Sequence, residues 1–136
     1  MKHLLSLALF IMFFSACDTA NSSHPTVQYE EKKTSLKESE KNSPLKFLKV
    51  KGSFRSNIVH QTVVEGEITN NATLVSYKNM QLQIVFKDKD GNVIEKEKEL
   101  IDDVVKPNST DDFKVKLGHV KDASTVSVDI TGAEVD

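Results

Sequence analysis

The sequence predicts an all-β protein, a single antiparallel β-sandwich behind a polar segment without stable structure of its own. Apolar residues recur at every second position through most of residues 44–136, the spacing that gathers alternate side chains on one face of a strand. These runs are short and are separated by Gly, Asn, Asp and Pro turn residues, as in sandwiches. The same region has no stretch with the 3.6-residue apolar period of a long helix.

Leu48, Val50 and Phe54 share one face of a first strand. Val64, Gly66 and Ile68 share a face of the second, which stops at Asn70-Asn71. The third has the clearest alternation: Met80, Leu82, Ile84 and Phe86 interleave with Gln81, Gln83, Val85 and Lys87. Val75 and Tyr77, just ahead of it, are expected in the core. Asp88-Lys89-Asp90-Gly91-Asn92 then forms a hairpin turn in which Gly91 or Asn92 takes a positive φ. The return strand through Ile94, Lys96, Lys98 and Leu100 is expected to be exposed or at an edge, where lysines discourage pairing with other chains. Pro107-Asn108-Ser109 makes the next turn. Phe113, Val115 and Leu117 form a fifth strand, broken by Gly118, and Val126, Val128 and Ile130 form the last.

The N-terminal region follows a different plan. Residues 1–16 have a basic start at Lys2, an apolar run and small residues at Ser15-Ala16, the layout of a signal peptide. The run from Leu4 to Phe14 is roughly 11 residues long, whereas a membrane span needs about 20. Cys17, the only cysteine in the chain, follows directly. The arrangement resembles a bacterial lipoprotein signal, with Phe14 where leucine is usual. The resemblance implies that Cys17 is lipidated and becomes the mature N-terminus, held on a membrane by its acyl chains. No thiol would then remain for a disulfide, a metal or nucleophilic attack. The protein is accordingly expected in a bacterial cell envelope, on the periplasmic or extracellular face. Asp18-Thr19-Ala20 also matches a short O-glycosylation pattern.

Residues 17–43 are rich in Ser, Thr, Asn, Lys and Glu. Such composition buries too little apolar surface to offset the entropy of ordering, so a flexible tether is expected, with at most a transient helix across Glu30 to Lys41. Residues 44–136 suffice for one compact domain and not for two. The formal charge is −2 and the two signs are interspersed, which gives no basic block for nucleic acid.

Gly66-Glu67-Ile68-Thr69-Asn70 resembles the Gly-x-(Val/Ile)-x-Asn opening of the FxLYD domain family. The likeness runs from about Val63 to Leu117. Ile84-Val85-Phe86-Lys87-Asp88 stands at the stretch that names the family, with Asp88 identical and Lys87 in the tyrosine position. Pro107-Asn108 stands where the family usually has Pro-Gly. The resemblance implies an immunoglobulin-like sandwich common in secreted and lipid-anchored bacterial proteins, with no family-wide catalytic residues.

Residue patterns that suggest chemistry have simpler structural readings. Aligning Gly91 with the glycine of a calcium loop puts Phe86 in the first ligand position, so Asp88–Asn92 reads as a turn. His24, His60 and His119 lack His or Cys partners at ligand spacing. No Gly-x-Ser-x-Gly elbow marks a nucleophile. The acidic residues Asp102-Asp103 and Asp111-Asp112 flank the proline turn and are expected to share one end of the sandwich. Asn71-Ala72-Thr73 and Asn108-Ser109-Thr110 read as turns. The expectation is therefore no enzyme, no cofactor and no metal. The domain is expected to be a binding or accessory module for an envelope protein partner; the competing reading is a structural subunit or spacer.

Overall fold

The structure, a computed structural model, describes residues 25–136. The expected signal peptide over residues 1–16, the expected lipidation site Cys17, Asp18-Thr19-Ala20 and His24 lie outside the described residues. Six strands build the domain: β1 (Leu48–Ser56), β2 (Thr62–Asn70), β3 (Tyr77–Lys87), β4 (Val93–Ile101), β5 (Ser109–Leu117) and β6 (Thr125–Val135). They form two antiparallel three-stranded sheets, ordered β1-β2-β5 and β4-β3-β6. This is the expected sandwich, and its order corresponds to strands A-B-E and C′-C-F of an immunoglobulin domain.

The alternation fixes which faces meet. Met80, Leu82, Ile84 and Phe86 all lie fully buried at 0% exposure, opposite Val64, Ile68, Phe113 and Val115 from the other sheet. Phe54 meets Phe86 edge to face, with centroids 5.6 Å apart and planes at 89°, a favoured aromatic geometry. Val75 and Tyr77 are in the core as expected.

Two glycines permit close approaches, Gly66 between neighbouring strands of one sheet and Gly52 between the two sheets. Gly52 and Gly66 stand opposite each other in the β1–β2 ladder, and Gly66 faces Phe113 of β5. A Cβ on Gly66 would fall 1.9 Å from the Lys51 carbonyl oxygen, and one on Gly52 would fall 2.7 Å from Val128 Cγ2. β1 can therefore stack closely over β6.

The turns follow the sequence. Gly91 takes φ +84° and Asn108 takes φ +53°. β4 is an edge strand, as its lysines foretell. Its apolar residues Ile94 and Leu100 point outward and are exposed, while Glu95, Glu97 and Glu99 stand opposite Phe86, Ile84 and Leu82. Inward-pointing charges of this kind are a second defence against strand addition.

Ahead of the sandwich the structure adds an element that composition gave only as a transient helix. α1 covers Pro25–Asn42, 18 residues, and a 3-10 turn over Pro44–Lys46 leads into β1. α1 is polar around its circumference, so no apolar face explains its position. Its last turn is held by Glu40, which is fully buried. Glu40 Oε1 accepts from Thr73 N at 2.8 Å and Thr73 Oγ1 at 3.0 Å, and Oε2 accepts from Leu74 N at 2.9 Å. The carboxylate thus satisfies two main-chain donors that the β2–β3 loop leaves unpaired.

Candidate functional site

Strand direction sorts the connections between two poles. β1 turns into β2 through residues 57–61, β3 into β4 through 88–92, and β5 crosses to β6 through 118–124. The three segments lie at one pole, tied together where Val120 N donates to Thr62 Oγ1 at 3.0 Å and Ser124 N to Lys87 O at 2.9 Å. The other pole receives α1 and carries the β2–β3 and β4–β5 connections. There Asn70, fully buried, donates through Nδ2 to Val75 O and Val105 O and accepts from Ala72 N.

The loop pole has one conspicuous feature. Ile58 is 98% exposed and Val59 is 65% exposed at the tip of the β1–β2 hairpin. The tip is held in shape by Asn57: its Oδ1 accepts from Val59 N at 3.0 Å and Gln61 N at 2.9 Å, and its Nδ2 donates to Gln61 Oε1 at 3.0 Å. A network around one side chain therefore fixes an apolar pair in water. Presenting side chains on a pre-ordered loop lowers the entropy lost when a partner covers them.

Beside the tip, the β3–β4 turn is self-contained. Asp88 Oδ1 accepts from Asp90 N and Asn92 N, and Oδ2 accepts from Asn92 Nδ2. The Asn92 side chain and these main-chain donors hold the Asp88 carboxyl below the usual carboxylate range. Its oxygens are engaged in shaping the turn, which accords with the reading of Asp88–Asn92 as a hairpin connection. His60 and His119 both belong to this pole and are exposed.

Asp102 and Asp103 line one shallow depression with Asp112, so the proline turn does bring acidic residues of both flanks together. Lys114 and Lys116 share that depression, which makes its charge mixed. Asp111 stands opposite Ile68 at the β5 edge. Among the described residues, no group of His, Cys, Asp and Glu converges as a metal site requires.

The two rims of the sandwich differ. At one, β4 and β5 carry Lys96, Lys98, Lys114 and Lys116 along unpaired edges. At the other, β1 stacks on β6, and a shallow groove of about 360 Å³ lies between Leu45, Val50 and Ile130. On the outer face of the first sheet, Arg55 Nε donates to Glu65 Oε1 at 3.0 Å. This bond, with the nearby charges of Arg55 and Lys114, holds the Glu65 carboxyl below the usual range.

Sequence periodicity does not single out Ile58 and Val59, because an apolar pair beside a strand reads as strand. The available signal is their place between Asn57 and His60, past the last inward residue of β1 and before Thr62 begins β2. Glu40 had no local signal, since its partners lie 33 and 34 residues away.

No protein-family model matches the chain, and no curated protein or solved structure does so either.

Proposed function

We propose that the protein is a bacterial lipoprotein, anchored in the cell envelope through lipid on Cys17, whose FxLYD-like sandwich is a non-catalytic binding module. The observation that carries this reading is the ordered Ile58–Val59 tip, 98% and 65% exposed, at the pole opposite the one that receives α1. An anchor ahead of α1 would leave that pole directed away from the lipid, towards proteins of the envelope. The partner contact would centre on the apolar tip, with His60, Lys89 and His119 around it as a polar rim. Tethering raises the local concentration of such a module near membrane-bound partners, so a weak contact suffices.

The competing reading, a structural spacer of an envelope assembly, draws on the docking of α1. A helix of 18 residues held at its domain end is about 27 Å long and sets a distance from whatever precedes it.

Cross-linking and capture from native cells separates the two. The full-length chain is compared with the double variant Ile58→Ser, Val59→Ser. A partner captured by the first and lost by the second is the expected result. A partner retained by the variant overturns the loop-pole contact, and a stoichiometric assembly indifferent to these residues favours the spacer.

A further inference from the structure

We infer that the β2–β3 loop is a binding site for a glutamate of another protein chain, filled by Glu40 in the isolated molecule, and that a partner supplying such a residue releases α1 from the sandwich. The site lies at the pole opposite the Ile58–Val59 tip, and the inference does not depend on the contact proposed there.

The donors belong to the domain and are aimed without help from α1. Ala72 N donates to Asn70 Oδ1 at 2.8 Å, and Asn70 Nδ2 donates to Val75 O at 2.9 Å. From the β4–β5 connection, Asn108 N donates to Ala72 O at 2.9 Å. Ala72 and Val75, on either side of Thr73 and Leu74, are buried in the core. Two successive N–H groups are thus fixed in direction between buried neighbours. Thr73 N meets one carboxylate oxygen and Leu74 N the other, with Thr73 Oγ1 as a third donor. Successive N–H groups turned towards one point form an anion-binding concavity, and engaging both oxygens selects a planar carboxylate. Thr73 is exposed and Leu74 half-buried, so these donors stand at the surface beneath the end of α1.

The site recognises a residue within a chain and not a bare anion. Tyr77 Oη donates at 2.7 Å to the main-chain carbonyl of the same residue whose carboxylate fills the loop. A ligand must therefore offer a carboxylate and a free carbonyl on one residue. Carbonyls lack helical partners in the last turn of a helix. A glutamate near the C-terminal end of a partner's helix is the occupant that fits.

Little else holds the internal ligand in place. From Gln28 to Asn42 every side chain of α1 except Glu40 is exposed, and the core has no member from the helix. Docking rests on one residue, without the apolar packing that stabilises most helices in proteins. Elements with so few buried contacts open at low cost. A partner that brings the same groups, with further contacts of its own, binds only the open form and shifts the molecule towards it. With Glu40 released, α1 is joined to the sandwich only through Lys41 to Ser43 ahead of the 3-10 turn, so the two parts reorient.

The test is titration of the isotope-labelled full-length chain carrying Glu40→Ala, followed by amide NMR. The probes are a capped peptide copying Thr34 to Ser43 of this chain, its Glu40→Gln counterpart, and acetate. The glutamate peptide is expected to shift the Thr73, Leu74 and Tyr77 amides and to bind roughly tenfold more tightly than the glutamine peptide. It should also bind more tightly than acetate. The parent chain, with Glu40 in place, should bind it at least about tenfold more weakly than the variant does. A chain carrying Glu40→Gln serves as the receptor should Glu40→Ala fail to fold. No binding, shifts confined to other parts of the domain, equal binding of the two peptides, acetate binding as tightly as the glutamate peptide, or equal binding by parent and variant would each overturn the inference.

Discussion

The Tyr77 hydroxyl donates a 2.7 Å hydrogen bond to the main-chain carbonyl of Glu40, 37 residues earlier in the chain. The bond lies beside the contacts of the Glu40 carboxylate with Thr73 and Leu74, so one residue fastens α1 to the sandwich through both side chain and main chain. A carbonyl in the last turn of a helix has no partner within the helix, and Tyr77 supplies one from the core.

Glu40→Ala should detach the end of α1 and leave the Thr73 and Leu74 amides without partners. A loss of about 1–3 kcal/mol is expected in urea unfolding. Hydrogen exchange should quicken in the last turn of α1 and at Thr73 and Leu74, while β3 and β6 keep their protection. Unchanged exchange at those amides would contradict the docking.

Burial, with the Glu40 charge adding to it, pushes the Tyr77 hydroxyl up to about 12. The folded state therefore favours the protonated phenol. Its contribution is complete below the unfolded value of about 10 and is lost as pH rises through 12. Tyr77→Phe keeps the ring in the core and removes the bond to Glu40. The variant should lose about 0.5–1.5 kcal/mol at neutral pH and show a flatter stability profile between pH 10 and 12. An alkaline limb identical to the parent's would refute this assignment.

Gly66→Ala should prevent folding or cost several kcal/mol, because the new methyl would overlap the Lys51 carbonyl on a neighbouring strand. Gly118→Ala is the matched control, since a Cβ there meets nothing within 4 Å. Thermal melts of the two proteins should differ widely, and similar melts would mean that β1 and β2 are not in the described register.

Ile84→Asp should unfold the domain by burying a charge at a position with 0% exposure. Ile58→Asp should leave stability within about 0.5 kcal/mol of the parent and weaken partner capture. Circular dichroism and capture measured on both variants separate folding from recognition. An Ile58→Asp protein that unfolds would place Ile58 in the core and remove the loop-pole contact.

Cys17→Ser should move the full-length protein from the membrane fraction to the soluble fraction. Retention in the membrane fraction after carbonate washing would sink the lipid-anchor proposal.

The sequence by itself determined the class of fold, the inward set of β3, the Gly91 and Pro107-Asn108 turns and the edge position of β4. These are properties of neighbouring residues: a period of two assigns faces, and a positive φ or a fixed proline φ assigns turns. Tertiary structure alone decided the docking of α1, the orientation of β4 and the prominence of Ile58. Glu40 reads as one more charge in a polar run until Thr73, Leu74 and Tyr77 arrive from elsewhere in the chain. The lysines of β4 mark it as an edge strand, but only its pairing with β3 shows that Glu95, Glu97 and Glu99 turn inward and leave Ile94 and Leu100 outside. Ile58 is exposed because the Asn57 network closes the hairpin before the apolar pair can join either strand. Local periodicity records which residues share a face, but which face meets the core is set by contacts between residues far apart in sequence.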